Sequence, residues 1–173
     1  MNATDLIKAE LADAYAVTQR LLDLVDEGSL DWKPASGDNW MSQGQLLHHL
    51  TNACGSGFKG FVTGDWGFPA DFDPSAMSEE DMMPPAEKLP TVVSLVETRR
   101  LLAEDQALAL ACLAQVDEVE LETRPAPAPW DGSTMMLGRR LLQMVQHLNQ
   151  HKGQLFYYLK LQGKPVNTMH LWA

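Results

Sequence analysis

The sequence predicts an all-α fold, a four-helix bundle, on three observations. Four long stretches carry apolar residues at helical intervals, no run of alternating strand residues appears, and Pro- and Gly-bearing connections separate the stretches. With 173 residues, 45% of them hydrophobic and 21% charged, the chain has the size and composition of a single domain spanning residues 1–173.

The first helix is read from Thr4 to Val25 on Ile7, Leu11, Ala14, Leu21 and Val25, with Thr4 as N-cap and Gly28 as stop. Pro34 and Gly37 mark the stretch Asp31 to Asn39 as a loop, after which Ser42 can cap a second helix running to about Thr63. Leu46, Leu50, Ala53, Gly57 and Phe61 form its apolar stripe. Residues 64–90 then make a long connection bearing Trp66, Phe68, Phe72, Met77, Met82 and Met83, apolar side chains that can cover a pocket, a partner subunit or the bundle ends. Its length means that the topology need not be simple up-and-down.

A third helix is expected from Thr91 to Val116 on its run of Val and Leu, followed by a turn at Asp117 to Glu122. Three prolines and the Trp130-Asp131-Gly132 sequence exclude helix from Arg124 to Gly132, so Ser133 or Thr134 is expected to cap the fourth helix. That helix runs to about Leu161 and stops at Gly163, before Pro165.

Charge and motifs exclude several functions. Thirteen Lys and Arg against 23 Asp and Glu leave a formal charge of -10, a field that repels nucleic acid and anionic lipid. Charged residues punctuate the N-terminal segment, which therefore reads as neither signal peptide nor membrane span. Two cysteines, Cys54 and Cys112, are too few for a disulfide framework and lack metal-ligand spacing, which fits a reducing cytoplasm. No G-x-S-x-G, G-x-x-x-x-G-K or G-x-G-x-x-G sequence supports a serine hydrolase or a nucleotide-binding protein.

The histidines carry the chemistry. His147 and His151 lie four residues apart on the fourth helix, so their rings project from one face and can converge on one cation. The His48-His49 pair on the second helix can supply a third imidazole, and His49 lies nearer that helix's apolar stripe. Three neutral imidazoles suit zinc, nickel, iron or copper and leave a further position for water or substrate, where a bound water or thiol is acidified. Spacing alone favours the plainer reading of an i,i+4 pair, a surface pair or a satisfied core polar pair, over a metal site. Leu148 follows His147, so the Glu of H-E-x-x-H is absent and a zincin protease is disfavoured, as is a di-iron bundle with paired Glu-x-x-His.

The surroundings add a more specific pattern. Asn39-Trp40-Met41-Ser42 leads into Leu46-Leu47-His48-His49-Leu50, and far downstream stand His147-Leu148-Asn149-Gln150-His151-Lys152-Gly153-Gln154-Leu155 and Tyr158-Leu159-Lys160-Leu161-Gln162-Gly163. Together they resemble the DinB/YfiT-like family over nearly the whole chain. The resemblance implies a bundle with a divalent metal on three histidines, which aligning on His-Leu places at His49, His147 and His151. Counting from Trp40 instead selects His48, because Met41 separates Trp40 from Ser42. The His-Leu alignment agrees with the helical phase. The resemblance also implies a metal-dependent enzyme acting on a small-molecule substrate, in some members with a low-molecular-weight thiol, and a homodimer.

Other candidates have weaker claims. Gln154 can bond a ligand ring or a bound water, Tyr158 can donate to an anion or simply pack, and Asp131 can transfer a proton or complement a helix dipole. Cys54 lies about 140° around the helix from His49 and is read as a small buried hydrophobe. His170 and Trp130 are read as packing or rim residues, and no general base stands out. The expectation is therefore a mononuclear centre on His49, His147 and His151, holding zinc by default with nickel, manganese or iron as alternatives. It would activate water or a thiol against a small electrophile. The rival is a helical bundle that binds metal or a small molecule without catalysis.

Overall fold

The computed structural model of the protein describes residues 1–69, 84–130 and 133–172. Among these residues the chain forms helices α1 (Ala3–Leu22), α2 (Gln43–Leu50), α3 (Gly55–Thr63), α4 (Leu95–Leu113), α5 (Glu118–Thr123) and α6 (Leu137–Leu161). Short 3-10 helices lie at Glu27–Ser29, Ala86–Lys88 and Thr168–Leu171. No strand occurs among the described residues, where bridging is confined to isolated pairs such as Pro125 with Met136. The all-α bundle is thus observed, with α1, the α2–α3 pair, α4 and α6 as its four columns.

Neighbouring contacts fix the directions. Tyr15 meets Asp105 and Asp23 meets Arg99, so α1 and α4 are antiparallel. Gln43 meets Gln162, His49 meets His147, and Arg140 lies over Phe61, so the α2–α3 column runs against α6. Val92 N–H donates to the Gly44 carbonyl and Cys54 N–H to Asp105, two pairs that rise together, so α2–α3 and α4 are parallel. Lys152 of α6 faces Glu10 and Asp13, and Ala3 and Gly138 line one groove, which makes α1 and α6 parallel. The order is up-down-down-up, and the connection between α3 and α4 has to return along the bundle.

The core forms where the apolar stripes meet. Leu137, Leu141, Leu148, Leu155 and Leu159 of α6 are fully buried, each side chain stabilising the fold by roughly 1.5–3 kcal/mol relative to exposure. A second stripe of α6, Arg140, Met144, His147, His151, Gln154 and Tyr158, follows alternating spacings of four and three along the α2–α3 column. This stripe is polar at its middle, where the three imidazoles meet.

Several boundaries differ from expectation, each for a local reason. Asn2, not Thr4, caps α1 by accepting the Asp5 N–H at 2.8 Å, and α1 ends at Leu22, before the 3-10 turn containing Gly28. The expected second helix is two helices, broken at 51–54. Helix α4 starts at Leu95 because Ser94, not Thr91, accepts the Glu97 N–H at 3.1 Å. The acidic segment expected as a turn is α5, whose Asp117–Glu120 capping box closes its first turn. Helix α6 begins at Leu137 rather than after Ser133 or Thr134, since Ala126 N–H donates to Met135 O and Leu137 N–H to Arg124 O, both at 2.8 Å, holding that segment extended. Of the apolar residues in the long connection, Trp66 packs on the core and Phe68 is exposed. Phe72, Met77, Met82 and Met83 lie outside the described residues, as does Asp131.

Candidate metal centre

Helix α2 owes its register to its start. Ser42 accepts the Gln45 N–H while the Gln45 side chain accepts the Ser42 N–H, a reciprocal cap. Gln45 Nε2 then donates to the carbonyls of Ala86 and Leu89, tying the return of the long connection to the same turn. Leu46, Leu47 and Leu50 are buried, which turns His49 toward α6. There it meets His147 and His151.

The three rings surround a common point. His49 Nε2 lies 3.2 Å from His147 Nε2, and His151 Nε2 lies 3.1 Å from the same atom. All three nitrogens fall within 4.8 Å of one another, and the rings stand nearly perpendicular in every pairing, at 80°, 80° and 82°. His48, next in sequence, is not part of this group, and among the described residues no carboxylate or thiol joins it. Each of the three residues is partly exposed.

The opposite edges of two rings are committed. His147 Nδ1 lies 2.9 Å from the Ala53 carbonyl oxygen, and His151 Nδ1 lies 3.1 Å from Gln154 Oε1. Both partners are acceptors, so both Nδ1 atoms carry the proton and both Nε2 atoms present a lone pair to the shared point. Burial pushes His49 down to about 4, with His151, His147 and His48 adding repulsion. Burial likewise lowers His151, against a smaller opposing effect of Gln154. The Nε2 lone pairs of His147 and His151 therefore face the point that His49 Nε2 also approaches.

Such an arrangement fits a cation. Two imidazole nitrogens on one tetrahedral zinc stand about 3.3 Å apart, and about 2.9 Å apart at right angles on an octahedral ion; the observed 3.1 and 3.2 Å lie between.

The remaining candidates fall elsewhere. Tyr158 is buried and donates its hydroxyl to the Met41 carbonyl at 2.8 Å, with Trp32 and Trp40 edge-on to its ring, so it packs the rim and holds the loop before α2. Cys54 is buried away from the cluster, and His170 bonds the Asn167 backbone in the C-terminal turn. Trp130 joins Phe61 and Trp66 in an aromatic group at the far end of α3. The Ala53 carbonyl was not foreseen, because a main-chain acceptor leaves no mark in a sequence.

An all-helical bundle with three convergent imidazoles from two distant segments defines the class. The DinB superfamily profile matches residues 10–155, and the chain belongs to that superfamily. Its fold is similar to the crystal structure of a DinB-like protein, YjoA, from Bacillus subtilis, with a TM-score of 0.62 and 23% identity over 91% of this chain and 92% of that one. No curated protein matches. No helix among the described residues is long and apolar enough to cross a membrane.

Proposed function

We propose that His49, His147 and His151 hold one divalent ion, zinc by default with nickel, manganese or iron as alternatives, and that the centre activates water or a low-molecular-weight thiol for attack on a small electrophile. The observation that carries this reading is the set of facing Nε2 atoms at 3.1 and 3.2 Å, two of them fixed as acceptors by Ala53 and Gln154. Facing lone pairs repel unless a positive charge sits between them. When bound, the ion supplies Lewis acidity, which brings a water or thiol at its remaining position toward ionisation near neutral pH. The chain's own part is to orient: Ala53 and Gln154 hold two rings, and Tyr158 pins the loop ahead of α2 without a free hydroxyl to offer as acid or base.

A second reading is a bundle that binds metal or a small molecule without turning it over. It is favoured by one observation, that no carboxylate among the described residues shares the cluster to act as general base. Metal analysis of the untagged protein and of His151→Ala separates the cases. Bound metal lost on substitution, together with thiol transfer or hydrolysis on a panel of electrophiles that vanishes with the metal, supports the enzyme. Metal without turnover supports the binding protein, and no metal in the wild type overturns the metal centre and leaves only a bundle that binds a small molecule. We further propose a homodimer located in the cytoplasm, to be checked by sedimentation and cell fractionation.

A further inference from the structure

The break between α2 and α3 sits where the centre needs an acceptor. In an unbroken helix the Ala53 carbonyl would be taken by the N–H four residues on. Here the first backbone bond of α3 runs from Phe58 N–H to Cys54 O, at 3.0 Å, so the Ala53 oxygen stays outside the ladder and receives His147 Nδ1–H. Breaking a helix in a buried place exposes orphan N–H groups, and the N-cap residue Cys54 offers no side-chain bond to them.

The missing cap comes from another helix. The Asp105 carboxylate of α4 accepts from the Cys54 backbone N–H at 3.4 Å, and the neighbouring N–H groups of Gly55 and Ser56 favour its charged form against burial. Tyr15 of α1 donates its hydroxyl to the same carboxylate at 2.6 Å. Both side chains are buried, Asp105 at 6% exposure and Tyr15 at 0%. The approach is close enough to require glycine: a Cβ on Gly55 would stand 2.2 Å from the Asp105 carbonyl oxygen. Two helices that contribute no imidazole to the centre thus hold the break open.

The geometry points to Asp105 as a positioning residue for the metal centre, acting through the α2–α3 break and the Ala53 carbonyl on His147 and buttressed by Tyr15. In its affinity readout the inference rests on the metal reading above; in its proton readout it does not. Nitrogen-15 NMR of the metal-free protein, with labelled histidine, reads which ring nitrogen carries the proton. The wild type is expected to show Nδ1–H at both His147 and His151. In Asp105→Ala, His147 becomes a mixture of tautomers while His151, held by Gln154, keeps its Nδ1–H. Zinc affinity by chelator competition falls about tenfold, and Asp105→Asn, which keeps an oxygen acceptor, recovers most of both signals.

A folded Asp105→Ala with the wild-type His147 tautomer overturns the inference. So does a change shared equally by His147 and His151, which marks general loosening. If Asp105→Ala does not fold by circular dichroism, Tyr15→Phe replaces it and is expected to shift His147 alone, in the same direction and less far; no shift overturns the inference. A wild type that takes up no zinc sinks the metal reading, and the tautomer experiment still decides the role of Asp105.

Discussion

His147 uses both of its ring nitrogens, one on the Ala53 carbonyl and one toward His49 and His151, and this double engagement sets what a substitution at the cluster does. His147→Ala is expected to abolish tight metal binding and to leave the Ala53 oxygen unpaired, whereas His49→Ala removes a ligand with no such loss. The variant at 147 should therefore melt lower than the one at 49 in the presence of chelator, by about 1–3 kcal/mol in stability. Acid gives a second test. His49 falls to about 4 in the fold against about 6.5 in an unfolded chain, so between those values the unfolded state binds more protons. Stability of the metal-free protein then rises with pH across that window and is lost as pH falls through it. Denaturant midpoints at pH 7 and pH 5 should differ less for His49→Gln than for the wild type. The His147–His151 pair was legible from spacing, and His49 from helical phase together with the His-Leu pattern. Asp105 and Tyr15 were not, since a carboxylate on one helix capping another belongs to no local motif.

Of the two elements that carry the imidazoles, α2 depends more on its first turn, being eight residues long against the 25 of α6. Ser42→Ala removes half of its reciprocal cap, a loss of about 1 kcal/mol that lowers the melting temperature by about 2–4 °C. Differential scanning calorimetry reads this directly. The segment ahead of α6 hangs on a buried cation instead. Arg140, fully buried, donates to the Ala126 and Ser133 carbonyls and to the Gln143 side chain. Arg140→Met strands these acceptors and is expected to cost about 2–3 kcal/mol, seen as a lower urea midpoint. Periodicity located the four columns well. It missed the break at 51–54 because Thr51, Asn52, Ala53 and Cys54 contain no proline or glycine, and the interruption is imposed by α1 and α4. It placed the start of α6 too early because Ser133 and Thr134 are good caps locally, while backbone pairing with 124–126 holds the chain extended up to Met136.

Over the whole molecule, the imidazoles come from α2 and α6, two segments about a hundred residues apart in sequence, so an ion held by them staples the bundle. At a free zinc concentration of one hundred times the dissociation constant, the protein is expected to gain about 2.7 kcal/mol, roughly 5–10 °C in melting temperature. Chelator should reverse the gain, and His151→Ala should show none. The parallel pairing of α2–α3 with α4 was only hinted at by the length of the connection between them, because helix direction within a bundle has no periodic signature. The Asp and Glu excess, in contrast, is a property of composition and needed no fold to be read.

The interruption at 51–54 also acts as a joint in the torsional sense. Each residue added to a continuous helix swings everything beyond it by about 100°, so in a straight column the angle of His49 could not change without unseating Phe58 and Phe61. The clamped break sets the two phases apart from each other. The bearing of the His49 ring can then be re-engineered at 51–54 while the buried seats of Phe58 and Phe61 on the other side of the break stay put.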